Sequence, residues 1–225
     1  GREGLHYRRG RTRRRRRRAL PKVRIGVLIS GGGTNLQALI DEVEKGNING
    51  EISVVISDKK GAYGIERAKK HGIKGIILDK KSFKDKDEFM KSIMDKLEEY
   101  NVDLVILAGF LSILSRGFIE KYKNSIINVH PSLIPAFCGE GYYGEKVHRA
   151  VLEYGVKVSG ATVHFVDEGA DTGPVILQEA IPVMEDDTIE TLAARVLKIE
   201  HKLLPEAVRL YCDGRITIDG RKVRI

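Results

Sequence analysis

The sequence predicts an α/β fold: a single-domain, Rossmann-like, mostly parallel sheet with helices on both faces and an antiparallel strand near the C-terminal part. Three observations predict it. Between Val23 and Val129, short apolar runs alternate with segments of helical periodicity. The first of these runs passes straight into glycines, as a strand does when it enters a helix at the carboxyl edge of a parallel sheet. After Pro131 two strand-like runs follow with too few residues between them for a crossover helix, so they pair antiparallel.

Each element has its own signal. Val23 to Ile29 is short and mostly apolar, hence a buried strand. Leu36, Leu39, Ile40 and Val43 recur at helical spacing until Gly46 stops them. Ile52 to Ile56 is a second strand, and Tyr63 to His71 a helix with Gly72 just past its end. Ile76 to Leu78 is a third strand. Phe89 to Tyr100 carries Met90, Ile93, Met94 and Leu97 on one helical side. Leu104 to Leu107 and Ile126 to Val129 are the fourth and fifth strands. A Gly- and Tyr-rich loop, Cys138 to Gly144, precedes a helix over Val147 to Tyr154. The runs Ala161 to Val166 and Val175 to Val183 are the antiparallel pair. A helix covers Thr188 to Tyr211, and alternation around Asp219-Gly220 signals a hairpin. Residues 22–225 show no repeat or linker and read as one domain behind an Arg-rich tail, residues 1–21.

Composition bounds the function. The net charge of +8 belongs to the tail, where ten arginines face one glutamate; the remainder is close to neutral. Six consecutive arginines, Arg13 to Arg18, repel one another and predict disorder. No apolar segment follows them as a secretion signal requires. The tail reads as a nucleic-acid or anionic-surface arm, or as an extension without a role, which is the preferred reading. No apolar run is long enough to span a membrane. Two cysteines, Cys138 and Cys212, argue against a disulfide scaffold and for a reducing, cytoplasmic setting. No group of residues has metal-ligand spacing.

Chemistry concentrates in Asn128-Val129-His130-Pro131-Ser132. Residues two apart on a strand share a face, so Asn128 and His130 project together where Pro131 forces a turn. With Asp171 of the later Asp-Thr-Gly-Pro segment, they supply an oxyanion donor, a proton carrier and a carboxylate that would raise the histidine's pKa. A second constellation is Ser30-Gly31-Gly32-Gly33-Thr34-Asn35 at the end of the first strand. Free N–H groups at a helix start bind anions. Leu36 breaks the dinucleotide spacing, and no lysine completes a nucleotide-triphosphate loop, so a single terminal phosphate fits. The alternative is a plain turn capped by Thr34. Asp58 could imitate the ribose-binding acid of a nicotinamide site, but the failed glycine spacing removes that reading.

Taken together, the Ser30–Asn35 loop, Ala108-Gly109-Phe110, Asn128 to Leu133, Thr162 to Val166, Asp171 to Pro174 and Glu200-His201 resemble the folate-dependent phosphoribosylglycinamide formyltransferases of purine synthesis. The likeness runs from about Val23 to Cys212. It implies that formyl moves from 10-formyltetrahydrofolate to the amine of glycinamide ribonucleotide by direct attack, without metal. It implies Asn128, His130 and Asp171 as the catalytic set, and Gly33, Thr34 and Asn35 as holders of the phosphate. Glu200 would approach the ribose and glycinamide. Leu111, Ser112, Ile113 and Leu114 would contact the pterin ring, with Glu168, Gly169, Ala170 and Asp171 closing over it and Asn128 beside it. Lys86 falls where the family often has a basic residue near the cofactor. Family members are monomers or homodimers, and no exposed stripe here chooses.

The chain departs from the family at Phe137 to Lys146, where a longer Gly-Tyr loop replaces a Pro-Gly segment and Lys146 stands where a histidine is common. Cys138 reads as a loop residue and not a nucleophile, and His164 as a satisfied core histidine. The rivals are a formyltetrahydrofolate deformylase, expected to carry an N-terminal regulatory domain, a methionyl-tRNA formyltransferase, expected to carry a C-terminal RNA-binding domain, and a non-catalytic nucleic-acid binder acting through the tail.

Overall fold

The computed structural model describes residues 20–225. The tail, expected to be disordered and read by preference as an extension without a role, lies over residues 1–19 outside the described residues. Nine strands form one sheet in the order β3-β2-β1-β4-β5-β6-β7-β9-β8. In chain order they are β1 (Val23–Ile29), β2 (Gly50–Ser57), β3 (Gly75–Ile77), β4 (Leu104–Leu107), β5 (Ile126–His130), β6 (Val158–Phe165), β7 (Val175–Pro182), β8 (Thr217–Asp219) and β9 (Lys222–Arg224). The helices are α1 (Thr34–Glu44), α2 (Tyr63–Lys70), α3 (Lys86–Glu99), α4 (Arg116–Lys121), α5 (Glu145–Tyr154) and α6 (Ile189–Cys212).

β1 to β5 are mutually parallel, and β6 runs antiparallel to both β5 and β7. The parallel strands are apolar on both faces because both are covered. In β1, Ile25, Val27 and Ile29 join one core with α1 and α6, while Leu28 joins the other with α3 and α4. β4 divides in the same way, with Leu104 and Ile106 on one face and Val105 and Leu107 on the other. α6 lays Leu192, Val196, Ile199 and Leu203 into the first core at helical spacing. Its start is a reciprocal cap in which the Thr188 and Thr191 hydroxyls each accept the other's backbone N–H. Near its end Cys212 is buried, and its thiol lies 3.3 Å from where a Cβ would stand on Gly50.

Two elements were not anticipated: α4 and a short 3-10 turn over Lys80–Ser82. Both are too brief for periodicity to register. α4 is held by the Ser115 hydroxyl, which accepts from the Phe118 N–H, and by burial of the Phe118 ring. β6 also begins at Val158, three residues before its apolar run becomes continuous.

Candidate active site

The strand order reverses between β1 and β4, whose connections lead to opposite halves of the sheet. Crevices at such switch points receive ligands. A cavity of about 480 Å³ opens there, lined by Asn35 after β1, Gly109 to Leu111 after β4, Asn128 to Pro131 of β5, Asp171, and Glu200 of α6.

At the β1 end, Gly33 adopts φ 72° and ψ 32° and no side chain caps α1. Thr34 is the first helical residue, so the capping role assigned to it does not hold. The left-handed backbone at Gly33 brings the loop against α2. A Cβ there would lie 2.8 Å from the Gly64 Cα, so only glycine fits without a shift. α2 holds the loop from below: the Gly64 N–H donates to the Gly31 carbonyl at 3.1 Å and Arg67 Nε to the Gly32 carbonyl at 2.7 Å. The uncapped start of α1 is left facing outward with its donors free, an arrangement that favours an anion. Asn35 Nδ2 donates to Glu200 Oε1 at 3.3 Å. Burial pushes the Glu200 carboxyl up to about 7, against the smaller downward pull of that bond. Asn35 Oδ1 is buried without a partner.

At the β5 end the titratable groups converge. His130 is buried, its Nε2 donates to the Phe137 carbonyl at 2.9 Å, and its Nδ1 stands 3.6 Å from Asp171 Oδ2. A carbonyl can only accept, so Nε2 carries the proton and Nδ1 keeps a free lone pair. Burial lowers the pKa of His130, outweighing the upward pulls of the Phe137 bond and the Asp171 charge. The expectation that Asp171 would raise it above its ordinary value is therefore corrected: Asp171 acts in that direction, but desolvation wins. For Asp171, burial acts upward, but the His164 contact, the Gly139 N–H at 2.9 Å and the nearness of the two histidine rings hold its carboxyl below the usual range.

His164 belongs to this cluster. It is buried and satisfied, as expected of a core histidine, since its Nδ1 donates to the Phe165 carbonyl at 2.9 Å. In the neutral ring that leaves Nε2 to accept from the Asn128 amide at 3.3 Å, with Asp171 Oδ1 at 3.6 Å. It thereby orients the amide. Register carries the signal: Asn128 pairs with His164 across β5 and β6, which only the antiparallel pairing reveals.

Comparison with known proteins places this geometry. The formyl transferase family profile matches residues 23–208. The chain belongs to the formyl transferase family. A glycinamide ribonucleotide transformylase from Symbiobacterium toebii shares 48% identity and a TM-score of 0.86, covering 91% of this chain and 94% of that one. The chloroplastic phosphoribosylglycinamide formyltransferase of Vigna unguiculata is 42% identical over 86% of this chain and 62% of its own length. The human trifunctional purine biosynthetic protein adenosine-3 is 44% identical over 88% of this chain and 19% of its own length, so the chain spans only part of these two relatives. A formyltetrahydrofolate deformylase from Pseudomonas syringae has a TM-score of 0.82 at 26% identity, with 66% of its chain covered.

Within this formyl transferase the segment 137–146, where the sequence departs from the family pattern, is tied to the cluster itself. Phe137 supplies the carbonyl on His130 and Gly139 the N–H on Asp171. The departure therefore reaches the cluster as well as the cavity wall, which Tyr142 and Tyr143 line. Cys138 is half-buried, its thiol directed at the Pro135 carbonyl, and burial raises its pKa, which is the wrong direction for a nucleophile.

The segments matched to the folate side lie around the cavity mouth. Leu111 lines the cavity and also, with Ser112, Ile113 and Lys86, a smaller adjoining hollow. Leu114 packs against the α3 core instead of opening to the mouth. Glu168 pairs with Arg116 at 3.4 Å on the surface. The Gly169 N–H and the Thr172 hydroxyl both donate to Asp167, winding residues 167–172 into a tight loop that presents Asp171 at φ 56°. Arg221 Nη2 holds the same loop by donating to the Thr172 carbonyl at 2.6 Å.

Proposed function

We infer that the chain transfers the formyl group of 10-formyltetrahydrofolate to the amine of N1-(5-phosphoribosyl)glycinamide, a step of purine synthesis. The observation that carries this reading is one crevice reached at one end by Asn35, which follows the uncapped glycine loop, and lined at the other by Asn128, His130 and Asp171, with His164 against Asn128 and Asp171. A substrate with a phosphate at one end and a nucleophile at the other suits that span. The close likeness to a glycinamide ribonucleotide transformylase supports the same reading.

In this reading Gly33, Thr34 and Asn35 hold the phosphate, and Glu200 faces the ribose and glycinamide. The folate supplies the formyl carbon at the level of Asn128, with its ring against Leu111 to Ile113, the 168–171 loop above it and Lys86 beyond the mouth. The mouth fits such a ring: it combines exposed apolar side chains with backbone held from behind. Neutral His130 takes the proton of the attacking amine at Nδ1. The resulting imidazolium is stabilised by Asp171 and returns the proton to the departing nitrogen. Asn128, oriented by His164, donates to the oxygen that gains charge as the amine adds. The two free cysteines fit a reducing compartment such as the cytoplasm. Among the described residues no helix is long and apolar enough to cross a membrane.

The test is tetrahydrofolate formation from 10-formyltetrahydrofolate by the purified chain, with and without glycinamide ribonucleotide. Turnover that requires the ribonucleotide is the expected result. Equal turnover without it would make the chain a deformylase, and no turnover by folded protein would reject both.

A further inference from the structure

We propose that Asp58, a buried carboxylate outside the catalytic cluster, is a positioning residue for the folate: through Ser112 it holds Leu111 to Ile113 in the shape that receives the ring. The proposal rests on the folate reading above.

Asp58 follows the last residue of β2 and is 3% exposed. Its Oδ2 accepts from the Ser112 hydroxyl at 2.5 Å. One residue earlier, the Leu111 N–H donates to Ser30 Oγ at 2.9 Å. The segment leaving β4 is thus fastened back across the ends of β1 and β2 at two consecutive residues. Beyond these fastenings Leu111 is 50% and Ile113 81% exposed. Two large apolar side chains held open at the rim of a cavity would, without a tether, fold down onto the protein or sample many positions. Holding them beforehand removes an ordering cost from binding.

A purely structural role fits Asp58 poorly. It has no ion-pair partner among the described residues, and its Oδ1 is buried without a hydrogen bond. A buried carboxyl oxygen in that condition weakens a fold. Replacing Asp58 is therefore expected to leave Tm unchanged or raise it, while altering ligand affinity. In the sequence Asp58 could imitate a ribose-binding acid, a reading the glycine spacing removes. In the structure its partner is a serine of the chain itself.

The experiment measures the Kd of tetrahydrofolate and of glycinamide ribonucleotide by equilibrium dialysis, using the full chain and its Ser112→Ala, Asp58→Ala and Asp58→Asn variants. Losing a hydrogen bond to a charged acceptor should weaken tetrahydrofolate about tenfold in both alanine variants. The ribonucleotide Kd should stay within about twofold. Asp58→Asn, whose amide oxygen still accepts from Ser112, should recover most of the loss. The double alanine variant should be no weaker than either single one, as expected of two partners in one bond. Unchanged tetrahydrofolate affinity in Ser112→Ala, equal losses for both ligands, or additive losses would each overturn the proposal. Formyl transfer by the unaltered chain tests the folate reading separately. Turnover with unaltered affinity in Ser112→Ala removes the positioning role alone, whereas a chain that does not bind tetrahydrofolate removes both.

Discussion

The two ends of the crevice are built by different means. The end proposed to hold the phosphate is backbone: a left-handed glycine, an uncapped helix and a neighbouring helix packed hard beneath. The reacting end is side chains: two histidines, a carboxylate and an amide, held by loops whose backbone is itself unusual. Phe137 and Asp171, neither of them glycine, sit at φ 50° and 56°, positions that cost free energy unless the surroundings impose them. Beside them Gly173 approaches Phe165 so closely that a Cβ would stand 1.7 Å from its carbonyl oxygen. A binding end made of backbone resists most substitutions. A reacting end made of closely packed polar side chains is sensitive to single atoms.

The largest break in that contrast should come from Asp171→Asn. The variant keeps the shape but loses the charge, and kcat should fall by roughly 10²–10⁴-fold while the ribonucleotide KM changes little. Because the Asp171 charge raises the His130 pKa against burial, removing it should also move the acid limb of kcat/KM to lower pH. Full activity with an unmoved limb would dismiss the carboxylate from the chemistry.

Glu200 tests the boundary between the two ends. Its pKa stands near 7 in the fold, from an ordinary 4.5. Below pH 4.5 the carboxyl is protonated in both folded and unfolded chains, and the fold keeps its full stability. Between about pH 4.5 and 7 the unfolded chain ionises while the folded carboxyl stays protonated, so about 3 kcal/mol is lost across that window and no more above it. Glu200→Gln should escape that loss, and its denaturant stability should fall less than that of the unaltered chain between pH 5 and 8. Parallel curves would refute the assignment.

Gly33→Ala comes next, at about 1–3 kcal/mol. It should lower Tm and weaken the ribonucleotide together, because the same backbone bend serves both. A drop in Tm with unchanged ribonucleotide affinity would detach the loop from the phosphate. The smallest effect is expected of Asn35→Ala, where losing one side-chain donor should raise the ribonucleotide KM several-fold, about 1 kcal/mol, and leave single-turnover transfer rates alone. Equal losses in both would put Asn35 at the reacting end.

The sequence exposes these two ends unequally. The parallel half declares itself because strands buried on both faces read as unbroken apolar runs, and the turn after β1 demands glycine. Asn128, His130 and Asp171 are also legible, as residue types at a strand end and beside a turn. What was hidden depends on contacts between segments distant in the chain. His164 looks like core until β6 is laid beside β5. Desolvation of His130 depends on the whole surrounding packing, so its net direction cannot be read from the one charge named near it. The tether from Asp58 to Ser112 joins residues with no common pattern, and the long Gly-Tyr loop gives no sign that its backbone grips His130 and Asp171.

Cys212 is sealed in the core, with burial pushing its thiol up to about 12, while Cys138 lies half-buried in the loop that grips His130 and Asp171. Thiolate, not thiol, reacts with alkylating dyes. Burial raises the Cys138 thiol as well, so labelling calls for alkaline pH, where the half-buried Cys138 should react before the sealed Cys212 and carry a fluorophore beside the proposed reacting groups.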